Sequence, residues 1–238
     1  VFSQTRVNRI VSGAASISAR RTVEEEPEDL AVYGLDEPRA TITVRKTDDT
    51  QEQLLVGRQT PARDSFYVKK SDDATVYLVY NTWITPFLYS IDELRDKTIP
   101  QINTQELTRL EIDTTVGRRI AVRRVEEGEF DNDPELAFNA YVVEQPYRRQ
   151  FGFAGQFLET LTNELSTLRI LRFVDDQPDN LAQYGLNPPR ARLYVADGRN
   201  QLQILFGEQT DGGRYASFGF GQSVFIMSGG EELITASP

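Results

Sequence analysis

Hydrophobic residues recur with a helical period near the start of the chain. Apolar side chains follow Val7 at intervals of three, seven and ten residues. This spacing predicts an amphipathic helix over residues 3–17, because positions three or four residues apart lie on one face of a helix. The same spacing returns 151 residues later and predicts a second helix over residues 155–168.

Alternation of apolar and polar residues predicts a strand at the same distance after each helix. Ala40, Ile42 and Val44 alternate with polar residues, and the matching stretch runs from Ala191 to Val195. A period of two is typical of a strand that buries one face. Later apolar stretches also match once the alignment of the two copies is shifted by a few residues, so the correspondence extends over most of each copy.

An eleven-residue phrase stands between helix and strand in both copies. "LAVYGLDEPRA" occupies residues 30–40, "LAQYGLNPPRA" occupies residues 181–191, and eight positions are identical. The phrase predicts a short helix that ends at Gly34 or Gly185 in the left-handed backbone region, where a side chain is unfavourable. Because the helical period, the strand period and this phrase all return, we interpret the chain as a duplication.

The two copies differ in what surrounds their shared part. Three strands are predicted before the second helix, over residues 107–113, 118–124 and 137–143, and none precedes the first. The first copy instead carries a tail over residues 90–99, which begins with the Ser-x-x-Glu pattern of a helix capping box. We therefore expect three strands, with or without an anchor, upstream in the full gene product, unless the first copy has lost them.

These patterns together predict the fold class and the domains. The fold is expected to be α+β, with two tandem repeats of one unit, each a mostly antiparallel sheet backed by an amphipathic helix. The first repeat is predicted over residues 1–99, without its first strands, and the second over residues 100–238, without the final tail.

Composition narrows the function classes. The net charge of −10 argues against a nucleic-acid partner, because an acidic chain repels the phosphate backbone. No apolar run is long enough to cross a membrane. Histidine and cysteine are both absent, which removes the Ser-His-Asp triad, thiol catalysis and most zinc sites. We therefore predict no catalytic residue, no cofactor and no metal site.

Carboxylates are the main remaining source of chemistry. Asp131, Asp133 and Glu135 have oxygen-rich spacing that calcium could use, but the glycine and the later glutamate of an EF-hand loop are missing. A hydrolase would need two carboxyl groups about 5–10 Å apart across a cleft. Since the acidic clusters fall in predicted polar loops, we interpret them as solvated turns.

Six residues are candidates for contact with a partner. Two are the arginines of the repeated phrase, which either pair with a carboxylate of their own unit or face a partner. Four are aromatic residues that either pack the sheet or form an exposed binding patch. These candidates are Arg39, Arg190, Tyr77, Tyr80, Trp83 and Tyr89.

A set of motifs along both copies carries a family resemblance. In the first copy they are Tyr33 to Pro38, Gly57 to Thr60, Tyr67, Val76 to Val79 and Leu94 to Lys97; in the second, Tyr184 to Pro189, Gly207 to Thr210 and Tyr215. In these motifs the chain resembles the bacterial domain-of-unknown-function 4340 family. The motifs are structural, and the resemblance implies no catalytic residue.

The resemblance also implies a setting for the protein. Members of the family usually have an N-terminal membrane anchor and an extracytoplasmic body, and many are encoded beside ABC transporter components of the gliding-motility type. It thus implies an extracytoplasmic, periplasmic-side location, with the anchor outside this chain. The present chain departs from the family pattern because it lacks the anchor and the first strands.

Three function hypotheses follow. The first is a non-enzymatic extracytoplasmic auxiliary or scaffold protein that contacts an ABC-type transporter or another envelope complex. The second is a glycan- or peptide-binding module that uses exposed aromatic residues. The third, and weakest, is a carboxylate-dependent hydrolase.

Overall fold

The structure, a computed structural model, describes residues 2–117, 119–133, 135–137, 139–147, 149–152, 155–219, 221 and 223–235. It divides into two compact units, unit 1 (Val1–Asp96) and unit 2 (Lys97–Pro238). Both units are built mainly from antiparallel sheet with a few short helices, which is an α+β fold. Among the described residues, no helix is long and apolar enough to cross a membrane.

Unit 1 holds a five-stranded sheet. Its strands are β1 (Arg21–Glu24), β2 (Ala40–Arg45), β3 (Gln51–Gln59), β4 (Ser65–Lys70) and β5 (Val76–Tyr80). Its α-helices are α1 (Gln4–Ala14), α2 (Asn81–Ile84) and α3 (Ile91–Leu94), and two 3₁₀ helices cover Leu30–Tyr33 and Thr85–Leu88.

Unit 2 holds a nine-stranded sheet. Its strands are β6 (Leu107–Thr114), β7 (Arg119–Arg124), β8 (Tyr141–Gln145), β9 (Phe151–Gly152), β10 (Arg169–Asp175), β11 (Ala191–Asp197), β12 (Gln201–Thr210), β13 (Gly213–Phe218) and β14 (Val224–Ser228). Its α-helices are α4 (Gly155–Thr167) and α5 (Glu231–Thr235), and two 3₁₀ helices cover Thr104–Glu106 and Leu181–Tyr184.

The two sheets share one strand order over five strands. The order is β1-β5-β4-β3-β2 in unit 1 and β10-β14-β13-β12-β11-β6-β7-β8-β9 in unit 2. The register also agrees, since Ala40 pairs with Val56 and Ala191 pairs with Phe206. The sheet of unit 2 then continues through four additional strands, β6 to β9.

The repeated phrase folds as its sequence predicts. Gly34 has φ 66° and Gly185 has φ 68°, each directly after a 3₁₀ helix. The amide N–H of Leu35 donates to the carbonyl of Leu30 at 3.1 Å, and that of Leu186 donates to Leu181 at 3.0 Å. These bonds close the helix end as a Schellman motif does. The predicted left-handed glycines are confirmed.

Other local predictions need correction. The first helix ends at Ala14, so Ile17 packs against the core of unit 1 from the segment after it. The third extra strand begins at Tyr141, because the preceding residues form a turn in which the N–H of Asn139 donates to Leu136. A fourth strand, β9, was not predicted, and Arg118, predicted to begin a strand, lies outside the described residues. The capping box of Ser90 and Glu93 is present, as predicted.

The predicted backing of each sheet by a long helix is only weakly seen. In unit 1, α1 lies against the 3₁₀ helix Thr85–Leu88, with the buried Gly13 close to the ring of Phe87. In unit 2, α4 lies against α5, and α5 lies against β6. In both units the chain that follows the fifth shared strand packs into the core, since its apolar residues Ile84 and Leu233 are fully buried.

Candidate binding groove

A groove of about 730 Å³ lies in unit 1 beside the chain that follows β5. We call it the unit 1 groove. One wall is formed by Asn81, Thr82, Trp83, Thr85, Pro86 and Tyr89. Trp83 and Tyr89 are half-buried, so part of each aromatic ring is supported by the protein and part remains accessible. Rigid, partly exposed aromatic residues are favoured at recognition sites.

Helix α1 and the residues just after it form the opposite wall. Arg9, Ser12, Gly13 and Ser16 line it. The hydroxyl groups of Ser12 and Ser16 donate to the carbonyls of Asn8 and Ser12, each at 2.8 Å. Their remaining oxygen lone pairs are acceptors, so this wall can receive hydrogen bonds from a ligand.

The groove carries positive charge in an acidic protein. Arg9 is exposed, and its guanidinium group has no hydrogen-bond or ion-pair partner among the described residues. Arg6 lies over the ring of Tyr89, with its guanidinium carbon 5.7 Å from the ring centroid, which is within cation–π range. Of the residues that the structure describes, no aspartate or glutamate lines the groove. The local charge therefore favours an anionic or hydrogen-bond-accepting ligand.

Asn81 connects the groove to a braced turn between β3 and β4. Its backbone N–H donates to Asp64 at 3.0 Å, and its side-chain amide N–H₂ donates to the carbonyl of Arg63. Arg20 holds Asp64 at 2.6 Å, and this hydrogen bond lowers the pKa of Asp64. The Oδ1 atom of Asn81 is buried and has no hydrogen-bond partner in the described part of the chain.

The structure separates the four aromatic candidates. Trp83 and Tyr89 share the unit 1 groove. The hydroxyl of Tyr77 donates to Asp73 at 2.8 Å, which raises the pKa of Tyr77. The ring of Tyr80 lies under Arg20, with 4.8 Å between the ring centroid and the guanidinium carbon. Tyr77 and Tyr80 therefore have partners of their own within unit 1.

The two candidate arginines have different surroundings. Arg190 pairs with Glu208 of its own unit, and its Nε donates at 2.8 Å. In unit 1 the position of Glu208 is taken by Arg58, which follows Gly57 as Glu208 follows Gly207. The side chain of Arg39 has no hydrogen-bond or ion-pair partner among the described residues, and only its backbone N–H donates, to the carbonyl of Val56.

Sequence reasoning missed the residues of α1 and Asn81. Arg9, Ser12, Gly13 and Ser16 lie at helical spacing and are polar or small, which is also what a solvated helix face looks like. Only a comparison of the two copies distinguishes a groove wall from a solvated helix face, because the residues after the fifth strand differ between them. Asn81 and Thr82 correspond to Gly229 and Gly230, the residues directly after β14.

Gly229 allows a close backbone approach in unit 2. A Cβ atom at Gly229 would lie 2.6 Å from the carbonyl oxygen of Thr167, the residue that corresponds to Ser16. Real Cβ contacts are essentially never that short, so glycine is needed for this approach. Unit 1 carries Asn81 at this position, and it has the groove there.

Carboxylates elsewhere are tied into the scaffold. Six carboxyl groups have a pKa that hydrogen bonds lower: Asp48, Glu52, Asp64, Asp73, Glu129 and Asp197. In the loop between β7 and β8, Arg123 pairs with Glu129 and with Glu144, the latter at 2.8 Å. No group of three or more acidic side chains in the described part of the chain could hold a metal ion.

A family model matches the chain twice, over residues 3–152 and over residues 148–233. Together the matches include the unit 1 groove and both copies of the Tyr-Gly-Leu phrase. Searches of the curated proteins and of the solved structures gave no significant match. Since the family matches extend over nearly the whole chain, this protein belongs to the family described as Domain of unknown function (DUF4340).

Proposed function

We propose that this protein is a non-enzymatic binding protein, an extracytoplasmic auxiliary or scaffold subunit that contacts an ABC-type transporter or another envelope complex. The unit 1 groove carries the proposal. The groove contains the half-buried rings of Trp83 and Tyr89 and the guanidinium group of Arg9. Among the described residues, that guanidinium group has no partner and no acidic side chain lines the groove. Such a surface recognises a polypeptide by burying apolar side chains and pairing with a carboxylate.

The location and the repeat belong to the same proposal. Family resemblance supports an extracytoplasmic body tethered to the membrane by an anchor outside this chain. We infer that the two units are repeats of one element, supported by their common strand order and register. Duplication followed by divergence would allow the two units to carry different binding surfaces.

Lowered carboxyl pKa values favour binding over hydrolysis. A general acid at neutral pH needs a raised carboxyl pKa. The pKa values of these six carboxyl groups are lowered instead, and each group holds a turn, a hydroxyl group or a basic side chain.

The proposal is tested with the anchored full-length protein and solubilised transporter components from the same envelope. Arg9→Glu reverses the charge of the groove, and Arg199→Glu makes the same change at an exposed turn of unit 2. Co-purification that is lost in Arg9→Glu and kept in Arg199→Glu supports the proposal. Equal recovery with both variants would contradict the role of the groove.

A second candidate function, glycan binding, is favoured by Trp83 and Tyr89, because aromatic faces also stack on sugar rings. Trp83 is the only tryptophan of the chain. Its fluorescence therefore reports occupancy of the groove without a label. A saturable change with neutral oligosaccharides that survives in Arg9→Glu would favour the glycan, whereas a change with acidic peptides alone would favour the polypeptide.

A further inference from the structure

A cavity of about 590 Å³ lies in unit 2, between the chain that precedes β6 and the C-terminal half of α4. We call it the unit 2 cavity. Residues 97–102 and 104 line one wall, and residues 162, 163, 165 and 166 of α4 line the other. Leu168, Arg169 and Leu202 also line it. Sites for small molecules have volumes of about 300–1,000 Å³, so the cavity has the size of such a site.

The floor of the unit 2 cavity is the surface of the hydrophobic core of unit 2. Leu168 and Leu202 belong to that core and are almost fully buried. Ile99, Ile102 and Leu165 are half-buried and pack against it. An aliphatic chain in the cavity would therefore leave water and contact apolar side chains that are already packed, which favours its binding.

The wall that precedes β6 is held to the sheet. The backbone N–H of Asn103 donates to Oδ2 of the buried Asp197 at 2.8 Å, and Asp197 is the last residue of β11. The side chain of Asn103 accepts from the N–H of Gln105 at 3.1 Å. These bonds fix the wall, so little conformational entropy is lost when a ligand binds against it.

Arg169 gives the unit 2 cavity a positive charge. Its Nη1 atom donates to the carbonyls of Ser166 and Leu168, each at 2.6 Å, which orients the guanidinium group. The Nε and Nη2 N–H groups have no partner among the described residues. Lys97 also lines the cavity and donates to the carbonyl of Leu171 at 2.6 Å, whereas no aspartate or glutamate of the described chain lines it. The Nε and Nη2 groups can therefore receive a carboxylate in the bidentate geometry that guanidinium favours.

A comparison of the two copies separates this cation from the shared framework. At the offset of 151 residues Leu168 corresponds to Ile17, and each packs in the core of its own unit. Arg169 corresponds to Ser18, whose hydroxyl donates to the carbonyl of Ser16 at 3.4 Å. The apolar position is therefore common to both units, whereas the cation is particular to unit 2.

We propose that the unit 2 cavity binds an anionic amphiphile, an aliphatic chain that ends in a carboxylate. The chain lies against Leu165, Leu168 and Leu202, and the carboxylate pairs with Nε and Nη2 of Arg169. One guanidinium group without a carboxylate partner among the described residues matches the single charge of a carboxylate. The inference goes beyond the proposed function, because it assigns a different class of ligand to a site in the other unit.

Isothermal titration calorimetry of the whole chain tests the proposal with octanoate, octanol and octyl phosphate, each below the concentration at which it forms micelles. We expect saturable binding of octanoate. Octanol should bind about tenfold more weakly, because it lacks the charge that Arg169 pairs with. Equal affinity for octanoate and octanol would overturn the proposed pairing, and tighter binding of octyl phosphate than of octanoate would overturn the assignment of a carboxylate.

The matched variants are Arg169→Gln and Arg172→Gln. Arg169→Gln removes the charge of the cavity and should weaken octanoate binding by about tenfold while leaving octanol binding unchanged. A loss of folding would weaken both ligands alike, so the difference between them isolates the pairing. Arg172→Gln removes an exposed charge from the same strand, at a residue that does not line the cavity, and should leave both affinities unchanged. An equal loss of octanoate binding in the two variants would overturn the proposal.

A second pair of measurements places the ligand. Ser166 is exposed and lines the cavity, so Ser166→Phe fills the cavity without removing Arg169 and should abolish octanoate binding. Octanoate binding that is retained in Ser166→Phe would overturn the proposal. Binding that is lost in Arg9→Glu, or that changes the fluorescence of Trp83, would place octanoate in the unit 1 groove and overturn it as well. Failure of octanoate to bind, with Arg9-dependent co-purification retained, would overturn this inference and leave the proposed function standing.

Discussion

Units 1 and 2 use one framework and differ at two places on it. Both place a left-handed glycine after a 3₁₀ helix, and both have a register shift just before Gln59 or Gln209. They differ beside the equivalent strands β2 and β11, since β6 pairs with β11 and no described strand pairs with the other side of β2. They also differ after the fifth strand, where unit 2 has Gly229 in the place of Asn81. The shared residues build the sheet, and the divergent ones decide which surfaces remain available for binding.

The shared framework has repeated polar and aromatic contacts as well as repeated strands. The hydroxyl of Tyr33 donates to Glu24 at 2.6 Å, and that of Tyr184 donates to Asp175 at 2.9 Å. Each tyrosine also lies beside a second tyrosine ring, Tyr67 at 5.0 Å and Tyr215 at 5.2 Å between centroids. Tyrosines preserved in both units therefore belong to the framework, whereas Trp83 has no aromatic counterpart.

The largest expected effect comes from substitutions that disrupt a close backbone contact common to both units. A Cβ atom at Gly57 would lie 2.3 Å from the carbonyl oxygen of Tyr33, and one at Gly207 would lie 2.1 Å from that of Tyr184. Gly57→Ala and Gly207→Ala should each destabilise the protein by about 1–3 kcal/mol, because backbone must move. Urea denaturation measures this. Gly198→Ala is the control, since its Cβ meets nothing within 4 Å, and an effect equal to that of Gly207→Ala would argue against the close approach.

This framework was largely predictable from sequence because its rules are local. The Tyr-Gly-Leu phrase requires a left-handed glycine, and alternation from Ala40 to Val44 indicates a strand. Strand pairing between β6 and β11 joins residues far apart in the chain, and no local pattern specified it. Likewise, the groove depends on what Asn81 meets in space, which the sequence around Asn81 does not encode.

The next largest effect distinguishes the β-hairpin turn after β2 from the equivalent turn after β11. The buried Asp197 accepts backbone N–H bonds from Asn103, Arg199 and Asn200, at 2.8, 2.7 and 2.5 Å, and these hold its pKa well below its usual value. In the hairpin of unit 1, Asp48 is exposed and binds Thr50 alone. Asp197→Asn should therefore lower stability at pH 7 more than Asp48→Asn does.

The pH dependence of that effect has a defined sign. Because the folded-state pKa of Asp197 is lowered, its contribution is present above the unfolded value of about 3.9 and is lost as pH falls through the folded value. The urea midpoint of the parent protein should fall more steeply between about pH 4 and about pH 2 than that of Asp197→Asn. Parallel curves would show that the carboxylate does not stabilise this turn.

A smaller effect compares the two helix ends. Gly34→Ala places a side chain at φ 66° and should cost about 1 kcal/mol. Gly185→Ala should cost more, because its Cβ would also lie 2.9 Å from the backbone nitrogen of Glu208, against 3.1 Å from Arg58 for Gly34. Thermal melting of both variants tests the order. An unchanged melting temperature in Gly34→Ala would count against the left-handed cap.

The smallest effect concerns the charge difference between Arg58 of unit 1 and Glu208 of unit 2, which occupy equivalent positions. Arg190 and Glu208 form an ion pair whose side chains are 55% and 48% exposed, so solvent screens it and its contribution should be about 0.2–1 kcal/mol. Arg58→Glu recreates this pair in unit 1 and should raise stability within that range, while Glu208→Arg should lower it by a similar amount. Denaturant midpoints at low and high salt measure both changes, which should shrink as salt increases. A loss of stability in Arg58→Glu would mean that Arg58 itself stabilises unit 1, so the two units would differ here by more than one ion pair.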